Sequence, residues 1–171
     1  MNNRYQKART LARAKHKDQM YGAVPYYVHL EAVSRLASPF GTDAMIVAQL
    51  HDVVEDTETS IDELAADFGY LVADAVGYMS DGKLEDRKSR KDEINFRLAS
   101  LDIDEEAARI ALIVKACDRL ANVRSSLRST EKYFCLYQQE HPNFKKAVYR
   151  KGLCEAIWWE LNNLLKYSEA S

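Results

Sequence analysis

Residues 43–69 read DAMIVAQLHDVVEDTETSIDELAADFG, and two features of this stretch decide the fold class. Ile46, Val47, Leu50, Val53 and Val54 recur at three- and four-residue spacing, the period of a helix that buries one face rather than the alternation of a strand. Ser60-Ile61-Asp62-Glu63 then has the capping-box pattern, a hydroxyl at the cap with a carboxylate three residues on, and Gly69 supplies the stop. A helix is therefore expected from Asp43 through Val54, carrying His51, and a second from Ser60 to Gly69.

The same reading extends in both directions. Arg4 to about Gln19 is a basic amphipathic helix, broken by Tyr21-Gly22-Ala23-Val24-Pro25. A helix starting at Pro25 or Tyr26 passes His29 and ends near Ala37, before Pro39. Tyr70 to Met79 forms another, and the densely charged stretch from Ser80 to Lys91 reads as a solvated loop leading into a helix start. Glu105 to Arg124 is a buried helix. Two more, Glu131 to Glu140 and Asn143 to Tyr167, are parted by His141-Pro142. With six Gly and three Pro in 171 residues, the expectation is an all-α, single-domain protein over residues 1–171.

Composition excludes several classes. Hydrophobic residues at 47% and charged residues at 29% are the balance of an ordinary globular protein; the net charge of −2 says little about partners, and a pI near 6.1 speaks against a broad nucleic-acid footprint. No run reaches the roughly 18 apolar residues of a membrane span, and the N-terminus lacks a signal-peptide core, so a cytoplasmic protein is expected. Cys117, Cys135 and Cys154 are odd in number with no CxxC pair, which speaks against a disulfide framework or thiolate zinc site; all three are expected as reduced thiols in or near the core.

The chemistry-bearing residues start at His51-Asp52-Val53-Val54-Glu55-Asp56. Positions four apart share a helix face, so His51 sits with Glu55 and Asp52 with Asp56, and one edge presents an imidazole and three carboxylates. Buried carboxylates at that density repel unless a cation or donors compensate, and a divalent metal is the economical explanation; a solvated acidic helix end is the plain alternative. Asp118 lies in ALIVKACDRLANV among apolar neighbours and needs a partner, which Arg119 or Arg124 supplies if no metal does. His29, after Pro25-Tyr26-Tyr27, reads by itself as a core or hydrogen-bonded histidine.

The order His, His-Asp, then a distant Asp resembles the HD phosphohydrolase superfamily. HKDQ (16–19), PYYVH (25–29), LHDVVEDTETSIDELAADFG (50–69) and KACDRLANVR (115–124) resemble, in order and spacing, the hydrolase domain of RelA/SpoT homologues over roughly Lys15 to Arg128, with residues 129–171 left as C-terminal helices. The chain looks like a stand-alone small alarmone hydrolase. The resemblance implies a metal-dependent 3′-pyrophosphohydrolase of (p)ppGpp or (p)ppApp, with His29, His51, Asp52 and Asp118 holding one Mn²⁺, or Fe²⁺ or another divalent ion. It gives Glu55 and Asp56 the task of orienting and deprotonating water. Asn122 is placed to reach the nucleotide, and Lys83, Arg87 and Lys88, with Arg90 and Lys91, fill the stretch that contacts phosphates. His16 fits the HxxQ position, and His141 lies beside a proline, so histidine supply favours one metal over two.

Two positions depart from the family pattern. Met20-Tyr21 stands where an arginine commonly contacts guanine, and Leu30 replaces the usual proline after the metal-binding histidine. The first leaves guanine against adenine open and makes Tyr21 the candidate for stacking on the base. Two other readings stand beside this one: a phosphatase of another nucleotide, and a nucleotide-sensing binding protein, against which the intact Glu55-Asp56 pair speaks. A small-molecule nucleotide is the expected partner, a membrane is not, and a homo-oligomer is left open.

Overall fold

The computed structural model describes residues 3–80, 86–129 and 131–166. The chain forms α1 (Asn3–Lys15), a short hairpin of β1 (Met20–Tyr21) and β2 (Val24–Pro25), α2 (Tyr27–Ala37), a 3₁₀ turn (Ser38–Phe40), α3 (Thr42–Leu50) and α4 (Val53–Asp56). There follow α5 (Ile61–Phe68), α6 (Tyr70–Met79), α7 (Arg87–Ala99), α8 (Glu106–Ser129), α9 (Glu131–Val148) and α10 (Glu155–Lys166). The expected all-α class holds, with the hairpin as its one departure among the described residues. Gly22 at φ +61° turns the chain there, and Met20 pairs with Pro25 and Tyr21 with Val24.

The 24-residue α8 is the axis of the core. Ala108, Ile110, Ala111, Leu112, Val114, Cys117, Leu120 and Val123 are all buried, so α8 is apolar almost all round and has to be enclosed. Helices α2, α3, α6, α9 and α10 pack on it. Each fully buried leucine of this set contributes roughly 1.5–3 kcal/mol of apolar transfer.

Three local expectations are corrected. The helix through His51 is not continuous: α3 ends at Leu50, Asp52 sits at φ −102°, ψ −3°, and α4 restarts at Val53, although the Asp56 N–H still reaches the Asp52 carbonyl at 2.9 Å. The turn lets Leu50 and Val53 stay buried while Glu55 and Asp56 reach solvent, so those two carboxylates are not desolvated as the helical reading required. His141-Pro142 does not break a helix, since α9 runs through Pro142. Phe144, Ala147 and Val148 bury on the core beyond it, which outweighs the hydrogen bond that proline forfeits. The break falls instead at residues 149–154, where Gly152 (φ +86°) and Cys154 (φ +47°) take left-handed conformations. Of the three thiols, all free, Cys117 and Cys154 are buried but Cys135 is exposed. Among the described residues no helix is long and apolar enough to cross a membrane.

The capping box at α5 is formed as read. The Ser60 hydroxyl accepts from the Glu63 N–H at 3.2 Å, and the Ser60 N–H donates to Glu63 Oε2 at 2.8 Å. Ser60→Ala should therefore lower the unfolding free energy by about 1 kcal/mol, and Ser60→Asp should retain most of it, as read from urea denaturation midpoints.

Candidate metal centre

Three separate parts of the fold deliver one cluster. His29 comes from the first turn of α2, His51 and Asp52 from the turn between α3 and α4, and Asp118 from the middle of α8. Ligand atoms of His29, His51 and Asp118 lie within 4.8 Å of one another, a set that could hold a metal ion. His29 Nε2 is 3.2 Å from Asp118 Oδ1 and 3.9 Å from Asp52 Oδ2; His51 Nε2 is 2.8 Å from Asp52 Oδ2 and 3.7 Å from Asp118 Oδ1.

The tautomer of His51 tests whether a cation fits. Its Nδ1 lies 2.9 Å from the Ala48 carbonyl, which only accepts, so Nδ1 carries the proton. Nε2 is then a buried nitrogen with no hydrogen-bond partner, although Asp52 Oδ2 lies 2.8 Å from it. A bare lone pair facing two carboxylates calls for positive charge between them. The electrostatics show the same demand for positive charge: burial disfavours an imidazolium at His51, but Asp52 and Asp118 outweigh it and raise its pKa well above the ordinary value, so a proton is drawn to Nε2, the place for which a cation would compete. Burial likewise opposes ionisation of Asp52 and Asp118, yet the imidazoles hold both well below the usual carboxylate range. Arginine does not supply the charge, since Arg119 pairs with Glu140 at 2.8 Å and Arg124 with Glu160 at 2.6 Å.

A surrounding layer holds the cluster in shape. The Tyr26 hydroxyl donates to Asp52 Oδ2, and the shared charge, added to burial, pushes that phenol far above its ordinary pKa. Asn122, one turn beyond Asp118, donates from Nδ2 to Asp118 Oδ1 at 2.6 Å and accepts from the Tyr21 hydroxyl at 2.6 Å. Tyr21 stacks on His29 with ring centroids 4.7 Å apart. Tyr21 and Asn122, read from sequence as substrate contacts, are thus also tied to the metal-ligand candidates.

The cluster opens into a cleft of about 160 Å³ whose walls include Glu55, Arg87, Lys91, Asn95, Lys115, Arg119, Asn122 and Tyr137. A second, more apolar cleft of about 390 Å³, lined by Met20, Tyr21, Val24, Arg128, Tyr133 and others, shares Asn122 and Tyr137 with it. Burial pushes the Tyr137 phenol up to about 12, so it stays protonated where the clefts meet.

No protein-family model matches the chain. The guanosine-3′,5′-bis(diphosphate) 3′-pyrophosphohydrolase MESH1 of Xenopus tropicalis is 34% identical over 130 residues, covering 72% of this chain and 69% of that protein. The chain belongs to this HD-type alarmone hydrolase family. A probable guanosine-3′,5′-bis(diphosphate) 3′-pyrophosphohydrolase of Synechocystis is 34% identical over 154 residues. The alignment spans 85% of this chain but 20% of that protein, and the Vibrio cholerae relative is covered to 17%, so the chain corresponds to about a fifth of these longer relatives. The solved structure of a metazoan orthologue of SpoT that hydrolyses ppGpp shares the fold, with a TM-score of 0.83 at 22% identity over 98% of this chain and 96% of that one.

The remaining site candidates of this alarmone hydrolase relative fall in different places. Glu55 lines the cleft with the cluster, whereas Asp56 accepts from Gln19 Nε2 at 2.8 Å. Arg87 lines the cleft and pairs with Glu140 at 2.9 Å; Lys88 is held by Asp92 at 2.7 Å and lines a neighbouring groove instead. Lys83 lies outside the described residues. Lys115 was missed by the sequence reading, and Arg119 was read only as a partner for Asp118; both are buried in the cleft wall. Their signal was available: Lys115, Asp118, Arg119 and Asn122 stand at i, i+3, i+4 and i+7, a polar stripe on the otherwise apolar stretch 110–123.

Because the ligand candidates come from two helices and the turn between α3 and α4, a bound divalent ion would tie these parts together. Manganese at about 100 times its Kd should stabilise the fold by roughly 2.7 kcal/mol, seen as a rise in Tm over chelator-treated protein. His51→Ala and Asp118→Ala should abolish the rise; an undiminished rise in both would place the ion elsewhere.

Proposed function

We propose that the chain is a manganese-dependent 3′-pyrophosphohydrolase of (p)ppGpp and (p)ppApp, working as one hydrolase unit over residues 1–171 in the cytoplasm. The observation that carries this reading is the partnerless His51 Nε2 inside a cluster of imidazoles and carboxylates, with Glu55 in the same cleft. The named activity of the MESH1 and cyanobacterial relatives supports the substrate class. His29, His51, Asp52 and Asp118 would hold one ion, and a nitrogen–oxygen donor set with room for further ligands suits manganese or iron(II) rather than a closed thiolate zinc site. Such an ion supplies positive charge that acidifies a water and polarises the phosphoryl group.

The chain's own residues do the rest. Glu55 and Asp56 orient the water and take its proton. The water oxygen bonds to the phosphorus attached to the ribose 3′ oxygen, that P–O bond breaks, and the 3′ oxygen is protonated, so pyrophosphate and a 3′-hydroxyl nucleotide leave. Arg87, Lys91, Lys115 and Arg119 supply positive charge to the phosphates. The base enters the aromatic second cleft, with Asn122 and Tyr137 between base and phosphates. A pure nucleotide sensor would have no use for Glu55 beside the cluster.

Glu55→Gln and Asp56→Asn should keep the metal and the fold but lose turnover by about 10²–10⁴-fold. Wild-type rates in either variant would remove that residue from proton transfer. Base choice is a separate expectation. The Tyr21 hydroxyl is committed to Asn122, and a tyrosine face accepts any purine, so ppApp should be cleaved with kcat/KM within about tenfold of ppGpp, or better, about 1.4 kcal/mol of discrimination at most. A thousandfold preference for ppGpp would mean that other groups read guanine.

A further inference from the structure

The turn after α1 holds a hydrogen-bond chain that the reaction as described leaves unused. His16 Nδ1 lies 2.6 Å from Gln19 Oε1, and Gln19 Nε2 lies 2.8 Å from Asp56 Oδ2. The directions follow from the end of the chain. A carboxylate only accepts, so the amide NH₂ of Gln19 faces Asp56; its carbonyl oxygen therefore faces His16, and His16 Nδ1 carries the proton. His16 is buried at 4% exposure, its Nε2 has no hydrogen-bond partner, and its ring stacks on Tyr26 at 4.9 Å. Backbone bonds hold the turn closed, with the Gln19 N–H on the His16 carbonyl and the Tyr26 N–H on the Gln19 carbonyl, both at 3.0 Å.

We propose that His16 and Gln19 are positioning residues that aim Asp56 at the water, a role that rests on the reading of Asp56 as a proton acceptor. The chain suits the task chemically. An amide donor satisfies one carboxylate oxygen without taking or giving a proton, which leaves the other oxygen to act as base. His16 keeps the amide from flipping, because a flipped Gln19 would set its carbonyl against Asp56 and its NH₂ against the Nδ1 proton. Tyr26 serves both carboxylates at once, donating to Asp52 and packing the ring that orients Gln19. Through these contacts the turn after α1 reaches Asp56 at the end of α4, four residues after a candidate metal ligand.

Steady-state cleavage of ppGpp and ppApp at saturating manganese tests this. Gln19→Met keeps length and bulk without the amide, and should lower kcat by about 10–100-fold with KM and bound manganese unchanged, the cost of a reacting group displaced by about an ångström. His16→Asn keeps an N–H donor where Nδ1 stands and loses the ring; His16→Phe keeps the ring on Tyr26 and loses the donor. The relay requires His16→Asn to retain most of kcat and His16→Phe to fall with Gln19→Met. A purely structural role would reverse that order and move KM and metal content as well. Gln19→Met at the wild-type kcat, or His16→Phe more active than His16→Asn, overturns the relay. Asp56→Asn run alongside separates the two ideas: an active Asp56→Asn removes the aspartate's role and the relay with it, whereas an inactive one beside a fully active Gln19→Met removes the relay alone. A wild-type protein that cleaves neither nucleotide overturns both.

Discussion

Asp52 and Asp118 are brought into one pocket with His29 and His51, and the positive charge this demands organises the surrounding structure. Unit charges 4 Å apart repel by about 4 kcal/mol at the effective dielectric typical near a protein surface, and burial adds its own penalty for each ion. Neighbouring donors relieve part of it: Tyr26 on Asp52, Asn122 on Asp118. The Ala48 carbonyl then fixes the His51 tautomer so that the remaining lone pair points inward. Nearby arginines are kept for other partners, Arg119 for Glu140 and Arg124 for Glu160.

Helix α8 makes this charge arrangement affordable in a small fold. Its apolar sides anchor five other helices, and its polar stripe carries an aspartate of the cluster together with Lys115, Arg119 and Asn122. Positioning is therefore rigid where charge is concentrated. Arg119 is held between the rings of Tyr137 and Phe144 and bonded to Glu140, which also binds Arg87 of α7. Those two arginines outweigh burial and hold Glu140 below the usual carboxylate range. The unbroken course of α9 through Pro142 matters here, because Glu140 and Phe144 flank that proline and both meet Arg119 on the cleft wall.

The clefts divide the work along the same lines. Cations, carboxylates and imidazoles line one; tyrosines, a methionine and a valine line much of the other, and Asn122 and Tyr137 stand at their junction. A ligand with phosphates at one end and a flat ring at the other matches that division of polarity. The hairpin at residues 20–25 forms one wall of the apolar cleft, so the departure at Met20-Tyr21 falls where a base would lie.

Much of this was legible in the sequence, for reasons of period and chemistry. Helical spacing and the Ser60 capping box are local, so the all-α class and α5 follow from residues a turn or two apart. Asp118 and the His51–Asp56 run drew attention as ionisable groups among apolar neighbours, where desolvation is costly without a partner, but His29 joined them as one set with His51, Asp52 and Asp118 only through the resemblance to the HD pattern. What the sequence could not decide depends on contacts distant in the chain. Pro142 reads as a breaker by local rule, and only burial of Phe144, Ala147 and Val148 keeps its helix whole. The turn at Asp52, the separation of Lys88 from the cleft, and the pairing of Gln19 with Asp56 were likewise decided by tertiary packing, because a side chain's partner is set by which helices meet and not by its neighbours along the chain.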